Sequence, residues 1–212
     1  EDTLKVASLN ITGYRGNAYA NFLNNDITGN VTLADDASYT NGFYTYIRNN
    51  HITGNSSITI NGSNTLLGGD VAGTGNHYQG NLIVNAAGGP IYISHGASLV
   101  CSGNLSINRT VPGPTQAFNS GATIGGNFSY TNITAGNTYL GNVNNKTAIA
   151  GTVNIQAVYT TPNAFEMYRL VNQTGGGSIT VQQSQGFAFT YDTIMVNAVE
   201  ITGYKGFQYG YL

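Results

Sequence analysis

The 212 residues carry only 16 charged side chains, 7 basic and 9 acidic, alongside 41% hydrophobic residues, 15 Tyr, 8 Phe and a single Cys. That balance excludes a disordered chain, which combines low hydrophobicity with high charge, and a nucleic-acid partner, because phosphate binding needs clustered Lys and Arg. No run reaches the ~18 apolar residues of a membrane-spanning helix, and nine carboxylates, three His and one Cys offer so little chemistry that neither an enzyme nor a cofactor is expected.

The chain begins at Glu1 rather than Met and shows no signal-like stretch, which predicts a removed leader. With 28 Asn, 25 Thr, 13 Ser and 29 Gly, the composition suits an extracellular protein of the cell surface. One Cys excludes an intramolecular disulfide framework, leaving packing and backbone pairing to hold the fold.

In chain order, the first element is Ile11-Thr12-Gly13-Tyr14-Arg15-Gly16, inside an incomplete segment over residues 1–25. From residue 26 one motif recurs. It appears as Ile27-Thr28-Gly29-Asn30-Val31-Thr32-Leu33, Ile52-Thr53-Gly54-Asn55, Tyr78-Gln79-Gly80-Asn81-Leu82-Ile83-Val84 and Cys101-Ser102-Gly103-Asn104-Leu105-Ser106-Ile107. Ile124-Gly125-Gly126-Asn127, Ile149-Ala150-Gly151-Thr152 and a weaker Gly175-Gly176-Gly177-Ser178 follow. With Gly203 added, the register glycines Gly29, Gly54, Gly80, Gly103, Gly126, Gly151, Gly177 and Gly203 stand 25, 26, 23, 23, 25, 26 and 26 residues apart. Each interval holds a second β-rich patch, such as Phe43 to Ile47, Ile91-Tyr92-Ile93 or Phe187-Ala188-Phe189, set off by turn formers such as Ala87-Gly88-Gly89-Pro90. No window carries a 3.6-residue apolar stripe.

Short strands repeating about every 25 residues predict an all-β, parallel β-solenoid or stacked β-arch, since one coil cannot bury its apolar face alone. The expected layout is a single domain over 1–212: a partial N-terminal coil 1–25, seven full coils over 26–199 and a partial C-terminal coil 200–212. A β-sandwich gives no reason for one motif to recur in register. The residue two before each glycine (Ile27, Ile52, Tyr78, Cys101, Ile124, Ile149 and Ile201) is expected to point inward. The glycine suits a corner that needs positive φ or close backbone approach. The following Asn suits the left-handed region and an amide ladder between coils.

The remaining chemistry is sparse. Asp26, His51 and His77 each stand three residues before a repeat glycine and would stack outward, a weak candidate metal column without a fourth ligand. Cys101 replaces Ile in the inward register, so burial is expected, with an intermolecular cross-link as the other use of the thiol. Beyond the opening Glu1-Asp2, Asp35-Asp36 is the only acidic pair and Glu166 stands alone near Arg169, too little for the carboxylate sets of β-helix polysaccharide lyases and hydrolases. Four of ten Asn-X-Ser/Thr sequons (Asn30, Asn55, Asn104 and Asn127) arise from the repeat's own Gly-Asn corner, so their number does not argue for glycosylation. Gly175-Gly176-Gly177 lacks the Lys and helix of a phosphate loop and reads as a turn.

The two ends resemble each other: Ile201-Thr202-Gly203-Tyr204-Lys205-Gly206 repeats the opening hexapeptide with Lys for Arg. Neither end looks like the polar cap of a monomeric repeat protein. Head-to-tail association is expected, carried by Ile11, Gly13, Tyr14, Ile201, Gly203, Tyr204, Phe207, Tyr209 and Tyr211. Such a contact gives a ring if it closes and a filament if it does not. In its repeat character and matching ends the chain resembles the sheath proteins of filamentous methanogenic archaea, which form stacked hoops of continuous β-structure around cells. That resemblance implies a tough, porous, non-catalytic envelope layer with laterally linked hoops, for which Cys101 is a candidate link. The expected function is a self-assembling subunit of an extracellular sheath, tube or filament, whose partners are further copies of itself. The alternatives are a surface adhesin or phage-fibre β-helix presenting Tyr and Asn to glycans, and a pilus subunit donating residues 1–10 as a strand.

Overall fold

A computed structural model describes residues 4–15, 19–38, 44–61, 64–67, 75–205 and 210–211. Among them the chain forms 24 strands and no helix, wound as a parallel β-solenoid of about eight coils roughly 23 residues apart. The spacing falls below the 25 of the motif because the end coils are short. Lys5 lies opposite Asp26, 21 residues on, and Ile179 opposite Val199, 20 residues on.

Each coil lays strands on three faces. The first face is an eight-stranded sheet of short strands, from Lys5–Val6 and Asp26–Ile27 through His51–Ile52, His77–Tyr78 and Leu99–Cys101 to Leu170–Asn172. The second runs from Leu9–Tyr14 through Val31–Asp35, Ser56–Ile60, Leu82–Ala86, Leu105–Arg109 and Phe128–Asn132, and the third from Tyr19–Leu23 through Tyr44–Arg48 to Thr138–Gly141. In the next two coils these two faces fuse into single long strands, Val153–Tyr168 and Gly177–Thr190, which join them in one sheet.

The period-2 alternation of the sequence decides what lies inside. On the second face one column runs Leu33, Ile58, Val84, Ile107, Tyr130, Ile155 and Ile179, none more than 2% exposed. On the first face Ile27, Ile52, Tyr78, Cys101, Ile124 and Ile149 stack inward as the register predicts. Burying each large apolar side chain contributes ~1.5–3 kcal/mol.

The corner between these faces is built on absent side chains. Gly29, Gly54, Gly80, Gly103, Gly126 and Gly151 stack directly, and none of the six has positive φ. A Cβ on Gly103 would lie 2.6 Å from the Gly80 carbonyl oxygen, and one on Gly151 2.7 Å from the backbone of Gly126. Close approach, not a left-handed backbone, is what requires glycine here. The next residue carries the ladder. The Oδ1 atoms of Asn30, Asn55, Asn81, Asn104 and Asn127 each accept the backbone N–H of the equivalent residue one coil on, at 2.8–2.9 Å.

Three expectations shift. The Asn of the Gly-Asn corner is not left-handed; positive φ falls at the corner after the third face, at Asn24, Asn49, Ser94, Phe118, Gly141, Arg169 and Tyr191. Gly177 lies opposite Val153, two residues beyond the glycine corner. Gly203 sits beside Gln183 on the second face, which removes Ile201 from the Ile27 column and places it over Ala157 and Val181. In both cases the inward alternation, which a one-residue slip would invert, overrides a match in letters.

Two buried polar arrangements join neighbouring coils. Asn25 donates from Nδ2 to Asn50 Oδ1 at 2.7 Å, Asn50 likewise to Asn76 Oδ1 at 3.1 Å, and Asn76 to the Ile47 carbonyl at 2.6 Å. Arg109, fully buried, donates to Thr115 Oγ1 and to the carbonyls of Gly88, Gly89, Val111 and Pro114 at 2.8–3.3 Å.

Gly103→Ala is expected to cost about 1–3 kcal/mol through overpacking of the corner. Gly175→Ala, whose added methyl meets nothing within 4 Å, is expected to change stability by no more than about 0.5 kcal/mol. Urea titration of the two variants beside the parent measures the contrast.

Candidate assembly interface

A parallel stack leaves one edge open at each end unless something covers it. At the N-terminal end Lys5–Val6, Leu9–Tyr14 and Tyr19–Leu23 each pair on one side, with Asp26–Ile27, Val31–Asp35 and Tyr44–Arg48. At the C-terminal end the outermost segments are Thr193, bridged to Val171, then Ala198–Thr202 and Gly210–Tyr211. Among the described residues both ends therefore present three one-sided segments, one on each face.

The core columns run out at these ends with apolar groups half-covered. Val6 and Ile194 terminate the Ile27 column at opposite ends. Ile11 and Val199 terminate the column of Ile155 and Ile179, and Tyr14 and Ile201 the column of Ala157 and Val181. Ile155 and Ile179 are 2% exposed, whereas Val199, in the same column, is 50% exposed because no described residue stacks on it. Val6, Leu9, Ile11, Tyr14 and Phe22 at one end, and Ile194, Val196 and Ile201 at the other, are partly buried against the core.

The described residues of the twin hexapeptides, 11–15 and 201–205, lie on the same face at opposite ends. Gly13 and Gly203 share a left-handed backbone, φ +67° and +64°, and Gly13 sits in a bulge between Thr12 and Tyr14. The copies are two residues out of step, since Ile11 continues to Val199 while Ile201 shares the column of Tyr14. Tyr14 packs edge-on against Phe22 at 5.6 Å and hydrogen-bonds Thr45 Oγ1 at 3.2 Å, and burial pushes its phenol up to about 12. Arg15 beside it pairs with Asp36. Tyr204 packs edge-on against Phe187 at 5.4 Å. Phe207 and Tyr209 lie outside the described residues; the backbone of Tyr211 pairs with Ala188.

Sequence reading missed Val199, Ile194 and Val196. Counting the alternation forward from Ile155 finds Val199, but only once the 20-residue final coil is known.

Asp26, His51 and His77 do form an outward column. His51 Nδ1 lies 3.2 Å from Asp26 Oδ1, its Nε2 lies 3.0 Å from Gln79 Nε2, and its ring is 5.2 Å from that of His77. Both ring nitrogens of His51 thus already have protein partners, and among the described residues no group of three or more His, Cys, Asp or Glu is placed to hold a metal ion. Cys101 is wholly buried, its thiol 3.5–3.6 Å from the carbonyls of Gly80, Gly103 and Asn104, and burial pushes it up to about 11. A cross-link through it requires the coil to open, because the folded core encloses the sulfur.

The final coil holds one further group. Asp192 accepts the Leu170 N–H on Oδ1 at 2.7 Å while its Oδ2 is buried without a hydrogen-bond partner. Burial pushes this carboxyl up to about 6.

Compared with known proteins, the chain matches no family model, no curated protein and no solved structure. Among the described residues no helix is long and apolar enough to cross a membrane.

The folded chain holds the Asp192 proton more tightly than the unfolded chain does. Its contribution to stability is therefore present below the ordinary aspartate range and is lost as pH rises from about 4 to about 6. Asp192→Asn keeps an acceptor for Leu170 and removes the charge, so it is expected to melt above the parent at pH ~7, with the gap shrinking towards pH ~4. Thermal melts at the two pH values test this. Cys101 is expected to resist a thiol-reactive dye in the native protein and to react within minutes once denatured, because the thiolate is the reactive form.

Proposed function

We propose that this chain is a structural subunit that joins copies of itself head to tail, building a sheath, tube or filament at the cell surface. The observation that carries this reading is the match between the ends: among the described residues, three one-sided segments on three faces at each end, running in the same direction around coils of similar perimeter. A translated copy continues every ladder in parallel. It sets Val6 over Ile194, Ile11 over Val199 and Tyr14 over Ile201, restoring to each column the cover that interior coils enjoy. Pairing two like ends about a twofold axis would make the strands antiparallel and break the columns, so the contact is heterologous and propagates.

Backbone pairing supplies the adhesion, and burial of the half-covered apolar groups supplies ~25 cal/mol per Å² of apolar surface removed from water. With few charges on its surface, the subunit repels its copies weakly, which suits lateral packing as well. No catalytic role enters this reading.

Ile11→Lys spoils only the N-terminal end and Val199→Lys only the C-terminal end. Each variant alone is expected to remain a folded particle that adds no further copies. An equimolar mixture is expected to give dimers, because each variant keeps the end that the other lacks. Sedimentation velocity and negative-stain microscopy read the outcome. Polymers in both single variants, or a parent protein that stays monomeric at every concentration, would overturn the proposal.

A further inference from the structure

Away from the ends, the third face carries a cleft of about 310 Å³ where the strands Thr115–Ala117 and Thr138–Gly141 meet the last residues of Val153–Tyr168. We propose that this cleft binds a neutral saccharide unit, independently of end-to-end association. The volume stands at the lower end of the range for small-molecule sites, which suits one or two sugar rings rather than a large ligand.

The lining determines the chemical class. It combines the rings of Tyr139 and Tyr168 with the amides of Gln116, Asn119 and Asn142, and none of its residues is charged. A sugar ring presents hydrophobic C–H faces beside hydroxyls that both donate and accept, which is the pairing that phenol rings and primary amides complement. A charged ligand finds no counter-ion in the lining, and a hydrocarbon would strip water from the Gln116 amide without replacing its hydrogen bonds, at a cost of about 1–3 kcal/mol.

The groups are held in place before any ligand arrives. The Tyr168 hydroxyl donates to Glu166 Oε2 at 2.5 Å, and Glu166, two residues back on the same side of the strand, is only 6% exposed, so it holds the ring from the side. Asn142 donates from Nδ2 to Asn119 Oδ1 at 3.2 Å and accepts the Asn144 N–H on Oδ1 at 2.9 Å, which fixes both amide planes. Gly141, with φ +99°, brings bare backbone to the cleft, because a Cβ there would run into the Tyr168 carbonyl. Fixing side chains in advance removes part of the ordering cost of binding.

Saturation-transfer NMR on the full chain, with methyl α-D-glucopyranoside, methyl β-D-galactopyranoside and N-acetyl-D-glucosamine as probes, tests the proposal. Transfer to the ring protons of at least one sugar is expected. That transfer should disappear in Tyr139→Ala, and Gln116→Ala should weaken the affinity about tenfold. Tyr44→Ala, on the same face but in the second coil, should leave it unchanged. Absence of transfer to all three sugars, whether or not a neutral peptide binds, would overturn the site. So would transfer that persists in both Tyr139→Ala and Gln116→Ala when their circular dichroism is native.

Discussion

A parallel ladder holds successive coils ~4.8 Å apart, and every corner has to pass the chain through at that separation. The rest of the molecule follows from how each corner manages it. Between the first and second faces the solution is subtraction, a column of glycines whose missing Cβ atoms make room for the backbone of the neighbouring coil. After the third face the chain bends through a left-handed residue in coil after coil, and the occupants there, such as Asn24, Ser94, Phe118 and Arg169, share no side-chain chemistry. Backbone geometry is conserved around the stack where side-chain identity is not. Where the corner between the second and third faces carries loops, buried Arg109 replaces water as the donor to carbonyls from two successive coils. A buried guanidinium is tolerated only when its donors are satisfied, and five hydrogen bonds achieve that without a carboxylate partner among them.

This division explains which parts of the fold were legible in the sequence. The Gly-Asn corner is written in letters, so coil number, inward register and the amide ladder could be read from Ile27 through Ile149. The left-handed corner is written in backbone angles that many residues adopt under tertiary pressure, and nothing in Phe118 or Arg169 announces it. The ladder of half-buried Asn25 with buried Asn50 and Asn76 was equally hidden, because those residues precede the motif and look like ordinary turn asparagines. Gly177 and Gly203 misled for the opposite reason: they repeat the letters where the final coils have shortened, and alternation across the sheet decides the register instead. At the ends, Ile11, Tyr14 and Ile201 were found through the twin hexapeptides, while Val199 carries no motif and is apparent only from its column.

The ends and the faces divide the molecule's surface between two kinds of chemistry. Strand edges offer directional, sequence-tolerant pairing, whose selectivity comes from which core columns are left uncovered. The third face offers side chains standing clear of the ladder, where Tyr139, Glu166 and Tyr168 differ from their equivalents in adjacent coils. A solenoid permits this separation because its backbone pairs along the axis and its side chains point across it. Variation on a face therefore leaves the stacking of coils intact.

The amide ladder has a bearing on how the protein ages. Each corner residue of the ladder, Asn30, Asn55, Asn81, Asn104 and Asn127, contributes its Oδ1 oxygen to the next coil, and that atom survives deamidation to Asp. A single deamidated rung keeps its acceptor and gains a charge facing solvent. Two neighbouring rungs converted together place like charges one ladder spacing apart, where they repel. Damage along this edge is thus tolerated when sparse and disruptive when contiguous, so the lifetime of the stack depends on the spacing of its lesions rather than on their number.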